Sequence, residues 1–245
     1  MVGGGGVALM ITLLQRGGGA AGQRGRLVEG EGHHLRVRRA REGEEVGVRD
    51  GFGLVGSGRL VQVDGEWKVE IETADRHPAP VPLVLAVGAG DRDRFAWVVE
   101  KAVEIGVTAV VPLLTEHTGG VASRLRTSHL ERLRRQALEA VKQSGNPWAC
   151  AVEEPITLAD FLARPAEGER WLADPGGLPP PAVLGGVPCA IIVGPEGGLT
   201  EREREAAIGA GYRTVSLGPH ILRLETAALA AAAAVQAARL RGRHG

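Results

Sequence analysis

The chain has 245 residues, 44% of them hydrophobic and 24% charged, and its 29 Lys+Arg balance 29 Asp+Glu to a formal net charge of zero. These figures suit one large globular domain or two modest ones. They exclude general disorder and a uniformly basic coat for nucleic acid, while leaving room for a local basic patch. Two cysteines, Cys150 and Cys189, with no Cys or His at ligand spacing, exclude a disulfide scaffold, a structural zinc site and a cysteine-ligated cluster. No metal is expected, and a reducing cytoplasm suits the composition.

The longest apolar run, Ala227 to Val235, is mostly alanine and too short to span a bilayer, so no membrane partner is expected. The opening apolar stretch has no Lys or Arg before it and is interrupted by glycine, which argues against a signal peptide. The chain reads naturally from Met10, with residues 1–9 as a non-native or disordered extension. From Ile11 to about Thr73 the pattern is short and strand-like, with turns at Asp50-Gly51 and Asp64-Gly65, and predicts a small antiparallel barrel or sandwich over 10–76. Prolines at alternate positions, Pro78, Pro80 and Pro82, mark an extended linker over 77–82.

From residue 83 to 245 the texture is α/β. Leu83 to Val87 is a buried strand, Phe95 to Val103 recurs at helical spacing up to Gly106, and Val107 to Leu114 is the next strand. Ser128 and Glu131 have capping-box spacing ahead of a stripe of Leu130, Leu133, Ala137 and Val141. Ala190 to Val193 is a strand, Thr200 to Ala210 a helix, Val215 to Leu217 a short strand, and Glu225 to about Leu240 an alanine-rich helix. The alternation predicts a mainly parallel sheet with helices on both faces.

The sharpest segment is Ile191-Ile192-Val193-Gly194-Pro195-Glu196-Gly197-Gly198-Leu199-Thr200, a strand entering a glycine loop and then a helix that Thr200 caps with Glu203. Glycines let a backbone approach a ligand closely, and the C-terminal ends of parallel strands are where ligands bind. The loop lacks the Lys-Ser/Thr of a P-loop and the glycine spacing of a dinucleotide fingerprint. Glu196 would also repel a polyphosphate. A tight structural turn is the plain alternative. Further on, Leu217-Gly218-Pro219-His220-Ile221-Leu222-Arg223-Leu224-Glu225-Thr226-Ala227 repeats the plan of strand, Gly-Pro loop and helix. Two such loops at one sheet edge would enclose a small cofactor. Arg223 reads either as a charged donor beside that pocket or as an ion-pair partner of Glu225 or the adjacent loop.

With FAWVVEKAVEIGVTAVVPLL and HHLRVRRAREGEEVGVRDG upstream, the pair GPEGGLT and LGPHILRLETAAL resembles the RsmE family, bacterial 16S rRNA (uracil-1498-N3) methyltransferases of the SPOUT superfamily. The likeness runs from roughly Leu27 to Val235, in the family's order. It implies an N-terminal PUA-like β-barrel, an α/β domain whose parallel sheet is tied in a trefoil knot, and a homodimer. It also implies S-adenosyl-L-methionine bound bent within the knot, with 16S rRNA of the small ribosomal subunit as substrate. It assigns Gly194, Pro195, Glu196, Gly197 and Gly198 to one cofactor loop. Leu217, Gly218, Ile221, Leu222, Arg223, Glu225, Thr226 and Ala227 fall to a second, and Leu172 to Pro175 match a third more loosely.

The residue types suit that chemistry. Uracil N3 attacks well only as its proton leaves, and negative charge then builds on the neighbouring carbonyl oxygens. Arg223 is expected to stabilise that charge, with Glu196 or Glu225 as proton acceptor or orienting group, although capping or pairing suits Glu225 better. The basic run His33, His34, Arg36, Arg38, Arg39 and Arg41 is expected to meet RNA phosphates. Arg124, Arg126, Arg132, Arg134 and Arg135 form a second run that reads equally as an amphipathic surface. Aromatics at 3% leave little for stacking single strands, so structured RNA or an assembled subunit is the expected target. Asn146, His220 and Ala89 stand where the family usually carries Arg, Arg and Lys, which touches substrate recognition more than the cofactor pocket. Two other readings are a SPOUT-like methyltransferase with another RNA target and a non-catalytic RNA-binding ribosome-assembly protein.

Overall fold

The computed structural model describes residues 10–118, 127–165 and 167–243. The N-terminal extension read at residues 1–9 lies outside them, as do Arg124 and Arg126. The chain divides into two compact units, one running to Ala79 and including Val141–Ala149, the other holding Pro80–Ala140 and continuing from Cys150. That Val141–Ala149 returns to the first unit is not visible in a linear division at residues 77–82.

The first unit is a five-stranded sheet of β1 (Ile11–Leu13), β2 (Arg24–Arg26), β3 (Glu45–Arg49), β4 (Leu54–Val63) and β5 (Glu66–Arg76), in the order β1-β3-β4-β5-β2. Alternation puts Leu54, Leu60, Trp67, Val69 and Ile71 into its core. Asp64 and Gly65, at φ 54° and 77°, form the two-residue turn between β4 and β5, where two positive φ values match the strand twist. Gln15 N donates to Arg26 O at 2.9 Å and Val28 N to Leu13 O at 3.1 Å, so the two outer strands meet and the sheet's edges are joined. One expectation needs correcting: the sheet is not wholly antiparallel, because β1 pairs β3 in parallel. The first part of the basic run is helix α1 (Glu31–Val37), too short to show a period in the sequence, with only Leu35 and Glu31 buried.

The second unit carries a wholly parallel sheet. Its elements are β6 (Leu83–Gly88), α2 (Arg92–Ile105), β7 (Ala109–Leu114), α3 (Thr127–Ser144, whose end from Val141 belongs to the first unit), β8 (Ala151–Val152), β9 (Ile156–Thr157), α4 (Leu158–Leu162), β10 (Glu169–Leu178), β11 (Cys189–Val193), α5 (Glu201–Gly209), β12 (Arg213–Val215) and α6 (Leu224–Arg243). Strand order is β12-β10-β11-β6-β7-β8, with β9 also on β7. Asp91 Oδ1 accepts from the N–H groups of Asp93 and Arg94, both at 3.0 Å, and opens α2. Thr200 and Glu203 form the expected reciprocal cap on α5. Ser128 does not cap α3, since that helix already includes Thr127. The strand read at Val215–Leu217 ends at Val215. Among the described residues no helix is long and apolar enough to cross a membrane.

Arg239, only 5% exposed, ties α6 to the strands it covers. Its guanidinium donates to Val81 O at 3.3 Å and to Pro82 O and Val187 O, both at 2.7 Å. Arg239→Met removes those donors and leaves Val81 O and Val187 O without them, Pro82 O keeping the Cys189 N–H, so urea unfolding should show a loss of about 1–3 kcal/mol. Cys150 and Cys189 are both buried, and burial pushes each thiol up to about 12. Neither should react with a disulfide reagent at pH 8 in the native protein, and both should react once it is denatured.

Candidate functional site

Parallel neighbours β10, β11 and β12 end at one edge of the sheet, and their exits surround a cavity of about 520 Å³. Gly194, Pro195, Glu196, Gly198 and Leu199, after β11, form one wall. Leu217, Gly218, His220, Ile221, Leu222 and Arg223, after β12, form a second, which Leu224 and Ala227 extend onto α6. Leu172, Ala173, Asp174 and Pro175 of β10 form the third. The two glycine loops picked out in the sequence therefore share one cavity. Three of the expected residues do not line it. Gly197 faces outward against His117, Thr226 is exposed on α6, and Glu225 is half-buried in the first turn of α6, where its Oε2 has no hydrogen-bond partner.

The first loop closes through Gly198 N donating to Pro195 O at 2.8 Å, with Gly198 at φ 72°. It packs hard against the end of β6. A Cβ on Gly88 would lie 2.4 Å from the Pro195 nitrogen, a distance no side chain tolerates, so the close approach depends on glycine there.

Charge in the cavity is mostly paired. Arg94, from α2, reaches Glu196 at 3.5 Å. Arg204, from α5, meets Asp174 at 2.7 Å, and Asp174 Oδ1 accepts from Gly176 N at the same distance. Burial works to raise the Asp174 carboxyl, but Arg204 and the Gly176 N–H outweigh it and hold the group below the usual carboxylate range. Arg223 is exposed, lines the cavity and, among the described residues, forms no ion pair with Glu225 or with the adjacent loop.

The basic run is less uniform than its sequence. His34 and Arg36 lie on α1, Arg38 caps its end, and Arg39 takes a positive φ of 59°. Arg38 is bound by Glu44, and His34 Nδ1 stands 3.6 Å from Glu31. Arg36, Arg39 and Arg41 are exposed and form no ion pair among the described residues. In the second run Arg134 is held by Val152 O and Glu154, whereas Arg132 and Arg135 are exposed.

Residues 77–236 match the family model of an RNA methyltransferase domain. The ribosomal RNA small subunit methyltransferase E of Synechocystis sp. is 34% identical to this chain, covering 84% of it and 70% of the relative. That of Aquifex aeolicus is 30% identical over 82% of this chain and 89% of the relative. Among solved structures, the Neisseria gonorrhoeae ribosomal RNA small subunit methyltransferase E bound to S-adenosyl methionine superposes with a TM-score of 0.80 at 30% identity, covering 93% of this chain and 97% of that one. A Legionella pneumophila putative methyltransferase in complex with S-adenosylmethionine gives 0.85 at 26% identity, covering 95% and 99%. The chain belongs to the ribosomal RNA small subunit methyltransferase E family.

In this member of the family, Arg94 and Arg204 complete the cavity although sequence reasoning passed over both. Each sits in the opening turns of a helix among other charges, Asp91-Arg92-Asp93 and Glu201-Arg202-Glu203, where a solvated face is the natural reading. Of the three positions where the resemblance leads one to expect a basic residue, His220 lines the cavity, Ala89 is buried with its N–H on Leu113 O, and Asn146 Oδ1 accepts from Trp148 N at 3.0 Å.

The Arg204–Asp174 pair gives a titration test. Asp174 has a depressed pKa in the folded state, so its stabilising effect is present at neutral pH and fades as pH falls through that lowered value. Carboxyl NMR on Arg204→Ala should show Asp174 titrating at higher pH than in the wild type, and the variant's stability should change less between pH 5 and pH 2.

Proposed function

We propose that this chain transfers a methyl group from S-adenosyl-L-methionine to N3 of a uridine in the 16S rRNA of the small ribosomal subunit. The observation that carries the reading is the single cavity shared by the two glycine loops, in a chain of this family. The residues fit the cofactor. A volume of about 520 Å³ lies within the range of small-molecule sites, roughly 300–1,000 Å³. Gly194, Gly198 and Gly218 bring backbone without side chains to the cavity wall, and Leu172, Val193, Leu199, Val215 and Leu222 offer apolar contact to a purine. The Arg94–Glu196 pair presents both signs of charge to a zwitterionic amino-acid end. When bound, S-adenosylmethionine supplies an electrophilic methyl group on a positively charged sulfur.

The protein's own part is charge placement. Arg223, unpaired at the rim, stabilises the negative charge that grows on the uracil carbonyl oxygens as N3 loses its proton. Glu196, steadied by Arg94, accepts that proton or orients the base, whereas Asp174 is committed to Arg204. Ile221, 89% exposed beside Arg223, offers an apolar face to the incoming nucleotide. Arg36, Arg39 and Arg41 meet RNA phosphates from the first unit, which acts as the PUA-like barrel. The α/β unit carries the trefoil knot, and the enzyme works as a cytoplasmic homodimer.

Arg223→Ala tests the assignment. Transfer of labelled methyl groups to purified small subunits, followed by mass spectrometry of the nucleosides, should fall at least about a hundredfold. Calorimetry should find S-adenosylmethionine binding retained. Near-normal turnover would remove Arg223 from the mechanism, and a methyl group on another base would replace the uridine assignment.

A further inference from the structure

We infer that His117 is a positioning residue that holds the first cofactor loop in its ligand-ready shape from outside the cavity; the inference rests on the cofactor reading above. After β7 the chain bends through a single 3-10 turn, Glu116–Thr118. Thr118 locks it, its hydroxyl accepting from Thr115 N at 2.7 Å and donating to Thr115 O at 2.8 Å. From this fixed turn the His117 ring reaches across to the loop, and its Nδ1 stands 2.9 Å from Gly198 O. A carbonyl oxygen only accepts, so Nδ1 carries the proton of that bond.

The turn makes a second bond to the same segment. Glu116 N donates to Glu203 Oε1 at 2.9 Å, while the other oxygen of that carboxylate accepts from Thr200 N at 2.9 Å. Residues 198 and 203, at the two ends of the stretch from loop to helix, are thus bound to one rigid turn. The ring also fills the place of a side chain on Gly197. A Cβ there would lie 3.2 Å from both His117 Cβ and Cγ. A side chain on residue 197 would therefore press on the ring and displace it by a few tenths of an ångström.

Gly194, Pro195, Glu196, Gly198 and Leu199 do line it, so a loop already ordered by His117 loses less freedom when the ligand binds. Removing the ring should raise the dissociation constant for S-adenosylmethionine, and its effect on folding should be slight, because the residue is exposed.

The experiment is titration calorimetry of the full chain with S-adenosylmethionine, beside a thermal melt without ligand, for wild type, His117→Ala, His117→Asn and His117→Gln. His117→Ala should bind about five- to tenfold more weakly, the weight of one hydrogen bond, with its unliganded midpoint within about 2 °C of wild type. Asparagine carries an N–H where Nδ1 stands and should restore binding to within about twofold of wild type; glutamine, one carbon longer, should not. Wild-type affinity in His117→Ala overturns the inference. So does equal weakening in all three variants with a matching fall in the midpoint, which is the mark of general packing. Should the wild type itself fail to bind S-adenosylmethionine, the cofactor reading falls and this inference with it.

Discussion

Neighbouring parallel strands all end at the same sheet edge, and the cavity follows from that constraint. Because β12, β10 and β11 are adjacent and parallel, the part of β10 beyond its last pairing with β11 at Leu172 and the segments leaving β11 at 194 and β12 at 216 must lie side by side. No long-range design of side chains is needed to bring them together. What the side chains add is clearance. Gly88, at the end of β6, lets Pro195 settle onto the sheet, and the loop backbone then forms a wall. A methyl group at residue 88 would lift that wall from its neighbour strand.

The charged groups divide by what they are bound to. Arg94 joins α2 to the first loop through Glu196, and Arg204 joins α5 to β10 through Asp174. Both pairs are partly exposed, so each adds little to overall stability, but each fixes one piece of wall to an element behind it. Arg223 is differently placed. It stands on the loop before α6, exposed and, among the described residues, without an ion pair. A guanidinium in that condition keeps more of its field for a ligand than one already neutralised by a carboxylate.

Legibility in the sequence follows burial and locality. Strands β6, β7 and β11 are continuous apolar runs buried on both faces, and α2 and α6 show helical spacing, so they could be read directly. The longer β10 was read only at Leu172–Pro175, because Arg170, Asp174, Pro175 and two glycines break its apolar pattern and its pairing with β12 shifts register between Ala173 and Leu178. Helix α1 spans seven residues with one buried leucine, too little for a period to show. Within the site, the glycine loops were legible because backbone requirements leave a local signature. The Arg94–Glu196 and Arg204–Asp174 pairs join residues 102 and 30 positions apart, and nothing local marks either partner.

Ala89 illustrates how such distant pairing changes the meaning of a residue. Read along the chain, an alanine where the resemblance leads one to expect lysine is a lost positive charge beside the first glycine loop. In the fold, residue 89 is buried, and the adjoining Gly90 lies against the Glu196 carboxylate, where a Cβ would stand 2.7 Å from its Oε2. Glu196 therefore rests over this short stretch between β6 and α2. Its cationic partner comes from Arg94, in the first turn of the helix that follows. Positive charge at this wall is thus supplied by a side chain that reaches the carboxylate from solvent without having to be buried. A guanidinium also loses less by partial exposure than an ammonium forced under the sheet edge would lose by desolvation. Glu196 therefore has a cationic partner although residue 89 offers none, and both signs of charge meet at the cavity wall.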